Sequence, residues 1–455
     1  MFSRTVVFPM PGLPVTMNKR FLVLTHNTRT LIFRLKEFVR DCDRRKSRMT
    51  AKDYRPSFPT EMITEGAVKV LVPKLSAFVK EPSEYAPSKA PVFYNPVMEI
   101  NRDITVLIVQ AHQKSLGRDI DVFEPLAGCG IRGVRLATEV RGVKAVTLGD
   151  INENAYRLAA HNVQINNLNK IVVVKKKEAN YLLSSHSAPR KRFDVVDIDP
   201  FGSPVPFLDS AVRALRNEGL IALTATDMAS LSGVHPKACI RKYGGKPLRT
   251  EYCHELAVRL LAGCLASVAG KHDLGVNIVF SHRGEHYVRV YATIHYGARS
   301  ADENQKKMGF ILHCFKCFHR EVLRGPLWIE QKQACSECGS TLSAAGPLWI
   351  GSISNPETCK AMEQELRTRR LRLAVKTKKM LDLIADESIG SATYFVIDNM
   401  CDALNLQVPS SRKVIEALKI EGFHVTPTHF STRGVRTDAP ASALAKVLCR
   451  LAAEK

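Results

Sequence analysis

No stretch of this sequence approaches the roughly 20 consecutive apolar residues that a membrane-spanning helix needs, so a soluble protein is expected. A disulfide framework is missing too. Of twelve cysteines, eight are scattered singly and four fall in two tight pairs, which fits a reducing compartment and one metal site. Acid is scarce: 66 Lys and Arg stand against 44 Asp and Glu, a net charge of +22. No Asp or Glu precedes Glu37, and residues 1–60 hold 13 basic and 4 acidic side chains, +9 of the total (13 − 4). The other +13 (22 − 9) is spread along the chain. Such a balance suits a polyanion, because each cation that neutralises a phosphate releases a counterion; solubility alone is the plainer use of it. No lipid-anchor motif accompanies the basic stretches, so neither a membrane nor an obligate protein partner is called for. There is no internal repeat.

What is present is organised in three parts. Residues 1–58 form a basic, proline-containing extension that reads as an organelle transit peptide or as sequence upstream of a later start at Met17, Met49 or Met62. The cytoplasm is the expected location, with an organelle or the nucleus if the extension is a targeting segment. From 59 to 300, short apolar runs at Ile120–Phe123, Ala145–Leu148, Ile171–Val174, Phe193–Ile198 and Leu220–Ala225 alternate with amphipathic stretches such as Asn152–Asn166 and Pro206–Arg216. That alternation predicts an α/β fold with a doubly wound parallel sheet, and runs at Val276–Ser281 and Tyr287–Ile294 add strands at one edge. Residues 301–455 hold a cysteine-paired module from Leu312 to Gly351, a charged helix over roughly Pro356–Glu387, a helix at Ser411–Glu421 and a last one from Pro440. The helix and strand pattern after 387 fits a small winged or ferredoxin-like unit.

Three motifs carry chemistry. Gly128, Gly130 and Gly133 fit G-x-G-x-x-G between a strand and a helix, and Asp150 ends the next strand 22 residues after Gly128. Glycines let the backbone turn close to a nucleotide, and an acid at that second strand end accepts ribose hydroxyls. The pattern serves NAD or S-adenosylmethionine. Glu124, just ahead of the loop, favours the latter, since a carboxylate suits the methionyl ammonium better than a pyrophosphate. The second motif is Asp199-Pro200-Phe201-Gly202-Ser203-Pro204 after the fourth strand. The exocyclic amine of a base is a poor nucleophile, because its lone pair is delocalised into the ring. Asp199 and the Pro200 carbonyl can accept its N–H bonds and turn the lone pair toward a methyl donor, while Phe201 stacks on the base. Guanine, with N1–H and N2–H₂ on one edge, matches a carboxylate best. A helix cap is the ordinary use of Asp before Pro. A cytosine C5 enzyme is disfavoured, for no cysteine lies between Cys129 and Cys239. Third, Cys314, Cys317, Cys335 and Cys338 have the C-x₂-C…C-x₂-C spacing of a closed, structural Zn²⁺ site, with seventeen residues between the pairs. His313 and His319 beside it read as surface residues. The run Arg367–Lys379, seven basic residues in thirteen, and the turn Arg433–Asp438 are candidate RNA contacts, or for the run a solvated helix face.

Together these residues resemble the tRNA (guanine-26-N2)-dimethyltransferase family. Thr64-Glu65-Gly66, Val92 to Glu99, Asn101-Arg102-Asp103, Gly130 to Gly133, Asp199 to Pro204, Thr224 to Asp227, the cysteine pairs, Gly346 to Trp349 and Thr437 to Pro440 carry the likeness over roughly residues 60–455. The resemblance implies a class I, Rossmann-like methyltransferase domain with a smaller zinc-containing α/β C-terminal domain that contacts tRNA. It implies S-adenosyl-L-methionine as cofactor, with Arg102 and Arg132 at the methionine carboxylate and its surroundings, Asp150 on the ribose and Glu178-Ala179 at the adenine. Asp199 would be the catalytic acceptor and Phe201 the stacking partner. A dinucleotide-dependent oxidoreductase would explain the glycine loop and Asp150 but neither Asp199-Pro200-Phe201 nor the cysteine module.

Overall fold

The computed structural model describes residues 55–79, 86–325 and 334–453, which belong to one compact unit. The N-terminal extension, up to residue 54, lies outside the described residues, as do residues 326–333 between the cysteine pairs.

A hairpin of β1 (Thr60–Glu65) and β2 (Val68–Pro73), which the sequence reading did not anticipate, precedes the helix Glu99–Leu116. That helix is buried over 14 of its 18 residues, polar ones included, because other elements pack around it. The chain then lays down β3 (Ile120–Glu124), β4 (Val143–Asp150), β5 (Val172–Lys176), β6 (Phe193–Ile198), β7 (Leu215–Ala225), β8 (Leu274–Arg283) and β9 (Val288–Tyr296). They form one sheet in the order β5-β4-β3-β6-β7-β9-β8. The first five are parallel and β9 runs antiparallel to both neighbours. The sheet is therefore mixed. The short link from β8 to β9 allows only a hairpin, which reverses the last strand to enter the sheet. Strand order turns back between β3 and β6, so the crevice at their carboxyl ends is the expected ligand position.

The helix Cys253–Gly270 is long and apolar enough to cross a membrane by length and composition, yet 72% of it is buried inside the fold. It is a core helix. The main hydrophobic core runs through it from Phe123, Val196 and Ile221 to Met308, Leu348, Trp349 and Phe430.

Beyond residue 300 a small sheet orders β10 (Met308–His313) between β11 (Arg320–Arg324) and β12 (Ser343–Trp349). The charged helix expected over Pro356–Glu387 is two helices, Pro356–Arg367 and Ala374–Glu387. The break is made by tertiary contact: Leu371 is buried, and Arg369 and Arg372 reach back to Gln110 and Glu99 on the first long helix. Next come β13 (Phe395–Val396), helices Ile397–Ala403 and Ser411–Ile420, then β14 (Val425–Thr428) and β15 (Ser431–Thr437), with sheet order β13-β15-β14. Two helices followed by a hairpin, with one short strand paired to it, is the winged arrangement; a ferredoxin-like unit would need four strands. This part has its own core around Val414, Leu418, Val435 and Leu444.

Candidate active site

The glycine loop follows β3 as expected. Gly128 and Gly130 have φ of +54° and +76°, a region that side chains with a Cβ rarely adopt. Gly133 is required for a different reason: a Cβ there would lie 2.3 Å from Leu148 Cδ2. The Gly128 amide donates to Asp150 Oδ2 at 2.9 Å, and the Asn152 amide to Oδ1 at 2.9 Å. Loop and second strand end are thus tied together. Burial raises the Asp150 carboxyl above its usual range, although these amide bonds pull it down. Glu178 is exposed and caps the helix Ala179–Ser185, accepting from the amides of Asn180 and Tyr181 at 2.9 and 2.7 Å; Ala179 beside it is buried.

Asp199 leaves the end of β6 with its side chain 18% exposed. It accepts a hydrogen bond from Arg132 Nη2, and Arg289 Nη1 lies 3.9 Å away. Arg132 is 5% exposed and also donates to Asn101 Oδ1 and Thr105 Oγ1, both at 2.8 Å. Beneath it, the fully buried Arg289 on β9 holds Asp197 and Thr224 and donates to Tyr291 Oη at 2.7 Å. Glu124 is buried, with Oε2 accepting the Gly133 amide at 3.0 Å and Oε1 3.4 Å from Arg132 Nε. Burial first, then the Asp197 and Asp199 charges, pushes its carboxyl up to about 8 against the pull of Arg132. Arg102 is held by Glu65, with Nε at 2.6 Å and Nη2 at 2.5 Å, and by the Asn95 carbonyl. Phe201 is 69% exposed, with its ring edge-on to Phe93 at 4.8 Å between centroids; Pro200 is half-buried beside it. The Gly202 amide donates to Thr226 Oγ1 at 2.7 Å, which joins the loop to the end of β7.

Sequence reasoning gave no role to Arg289, Asp197 and Thr105, and took Phe93 only as part of the Val92 to Glu99 likeness. A lone arginine in the apolar run Tyr287-Val288-Arg289-Val290-Tyr291 was the available signal for Arg289. Asp197 was one turn of the pleat from Asp199.

The four cysteine sulfurs lie within 4.8 Å of one another, with Cys314–Cys338 and Cys317–Cys335 both at 3.5 Å. Ligands about 2.3 Å from a tetrahedral zinc stand roughly 3.8 Å apart, so the donor set fits the metal. His313 and His319 do not join the cluster. His313 is not on the surface as expected: it sits on the central strand of the small sheet, 1% exposed and packed on Tyr252 at 5.5 Å. His319 bonds Glu321 and Glu337. Of the basic run, Arg367, Arg369, Arg372 and Lys378 pair with acids.

A mixed seven-stranded sheet with a glycine turn after one strand, an acid ending the next and a partly open Asp-Pro-Phe at the crevice has the layout of α/β enzymes that bind an adenosine-containing cofactor. The family model described as N2,N2-dimethylguanosine tRNA methyltransferase matches residues 66–449. The chain is 39% identical over 392 residues to a tRNA (guanine(26)-N(2))-dimethyltransferase of Methanothermobacter thermautotrophicus, covering 86% of this chain and 99% of that protein. It is 34% identical to a tRNA (guanine(26)-N(2)/guanine(27)-N(2))-dimethyltransferase of Aquifex aeolicus, over 83% and 93%. Trm1 from Pyrococcus horikoshii, solved with S-adenosyl-L-methionine, superposes with a TM-score of 0.75 at 32% identity, covering 85% of this chain and 99% of that one. This chain belongs to the N2,N2-dimethylguanosine tRNA methyltransferase family.

Proposed function

We propose that this protein methylates the exocyclic N2 of guanine 26 in tRNA, once and then a second time, using S-adenosyl-L-methionine. Residues 59–300 perform the chemistry and residues 301–455 contact the tRNA. The observation that carries the reading is Asp199. Its carboxylate is partly open and paired with Arg132, and it stands beside an exposed aromatic ring.

The cofactor, when bound, supplies a methyl group on a sulfonium centre. Gly128, Gly130 and Asp150 would hold its nucleoside, with Glu178 and Ala179 at the base. Arg132 and the remaining N–H of Arg102 would take its carboxylate, and Glu124 would face the ammonium end. The extruded guanine lies against Phe201 and presents N1–H and N2–H₂ to Asp199 and the Pro200 carbonyl. Accepting those N–H bonds localises the N2 lone pair. As the new N–C bond forms and the S–C bond breaks, the sulfur leaves neutral and N2 sheds one proton, for which Asp199 is the nearest acceptor. A second pass replaces the second proton. Zn²⁺ on Cys314, Cys317, Cys335 and Cys338 would close the small sheet and take no part in transfer. Loss of both zinc and thermal stability in Cys335→Ser is the expected result, and unchanged metal content would remove the site.

The deciding test is methyl transfer from labelled cofactor to two tRNA transcripts, with guanine or adenine at position 26. Label on the first alone, recovered as N2-methylated guanosine, is expected. Label on both moves the target to another nucleotide, and label on neither overturns the reading.

A further inference from the structure

Beside the catalytic loop lies a basic surface that the sequence reading did not single out. The segment from His235 to Arg249 contains the helix Pro236–Tyr243. Cys239 and Tyr243 are buried on its inner face, whereas Lys237 and Arg241 are exposed one turn apart on the outer one. Lys246 and Arg249, also exposed, continue the strip beyond the helix. None of these four cations meets an acidic partner among the described residues. The run Arg367–Lys379 differs, with four of its seven charges already paired.

The strip is fastened to the catalytic loop. Tyr243 Oη donates to Asp227 Oδ1 at 2.6 Å and contacts Ser203 of the Asp199–Pro204 motif. Lys242 Nζ bonds Asp227 Oδ2 at 2.9 Å, and Asp227 follows Thr226, which holds Gly202. At the other end the Lys246 amide donates to the Gly346 carbonyl at 2.8 Å, and the Lys246 carbonyl accepts from the Gly346 amide at 2.9 Å. A Cβ on Gly245 would sit 2.5 Å from the Pro347 carbonyl oxygen. Both ends are therefore anchored and the outward charges are held in place.

We infer that Lys237, Arg241, Lys246 and Arg249 grip backbone phosphates of the tRNA next to the target nucleotide. This rests on the function proposed above. Turning a base out of a stack costs a few kcal/mol, and contacts to flanking phosphates fix the register in which it is extruded. Unpaired cations rigidly attached to the loop that receives the base are placed to supply that grip. Cations already bonded to carboxylates must give up that partner, or share their charge with it, to neutralise a phosphate.

The test is the salt dependence of tRNA affinity and turnover in the full-length protein, using the guanine-26 transcript and the double variant Lys237→Gln/Arg241→Gln. The slope of log affinity against log salt should become shallower by about two, one for each lost phosphate contact. The KM for tRNA should rise, while kcat at saturating tRNA and the dissociation constant for S-adenosylmethionine stay as in the parent. Both positions are exposed, so an unchanged melting temperature checks the fold. An unchanged slope and KM in an active, folded variant overturns the inference and leaves the function standing. Absence of transfer by the parent protein overturns the function itself.

Discussion

Two of the buried arginine–carboxylate clusters among the described residues behave differently. One joins Glu255, Arg259, Arg436 and Glu387 between the core helix Cys253–Gly270 and the winged unit. Glu255 there is wholly buried and accepts from Arg259 at 2.9 Å, Arg436 at 2.8 Å and the Thr393 amide at 2.9 Å. Burial alone would raise its carboxyl, but Arg436 and Arg259 outweigh that and hold it down to about 2. The other joins Arg132, Arg289, Asp197, Asp199 and Glu124 at the carboxyl ends of β3 and β6. It has an opening. Asp199 keeps part of its side chain in solvent, and Asp197 Oδ1 and Arg132 Nε make no hydrogen bond among the described residues. Similar residue types act as a closed joint in one place and as an incomplete set of donors and acceptors in the other. Of these two clusters, the one at the strand ends keeps hydrogen-bonding capacity unused.

The comparison can be broken at several points. Asp199→Ala should lower kcat by about 100-fold or more, the usual scale for losing a general base, while calorimetry finds S-adenosylmethionine binding retained. Retained turnover would take Asp199 out of its role. Glu255→Gln should lower unfolding stability by about 3–5 kcal/mol, because Arg259 is left buried without its counter-charge and Arg436 keeps only Glu387, with kcat of the folded protein unchanged. A melting temperature equal to the parent's would mean that the joint is dispensable. Phe201→Ala should weaken tRNA binding by about 1–3 kcal/mol, the range for one base on one ring, seen in KM more than in cofactor affinity.

A last way to sharpen the comparison is pH dependence. Glu124 in the folded protein titrates near 8, against an ordinary value of 4.5. Between those values the folded state holds a proton that the unfolded chain has lost. Its contribution to stability is therefore full below about 4.5 and is lost as pH rises through about 8. Denaturant titrations of the cofactor-free protein should show this decline, and Glu124→Gln should flatten it. An identical slope in the variant would show that another group is responsible.

The sequence was most readable where backbone chemistry is local. The glycine turn, Asp150, the five parallel strands and the cysteine pairs all follow from spacing within a few dozen residues, and each lies where the spacing put it. What escaped depends on distant segments. The helix expected over Pro356–Glu387 is interrupted because Arg372 finds Glu99, 273 residues away. Arg289 joins Asp197 only because β9 turns antiparallel and lies next to β7, which no local pattern specifies. His313, beside the first cysteine pair, was expected on the surface, but it packs on Tyr252 from the middle strand of its sheet. The basic run near 370 stood out in one dimension; pairing in three dimensions left the strip around Arg241 with more unspent charge.

The core helix Cys253–Gly270 also bears on how this chain can be cut. A Cβ on Gly263 would lie 3.0 Å from the Trp349 amide nitrogen and 3.1 Å from Leu348 Cα, and Arg259 donates to the carbonyls of Trp349 and Gly351. The face that β12 covers would be bare apolar surface in a fragment ending near residue 300. The stretches before and after residue 300 share this helix as one rib. Neither stretch is a cassette that could be lifted into another protein, and a lineage that altered one would have had to refit the other.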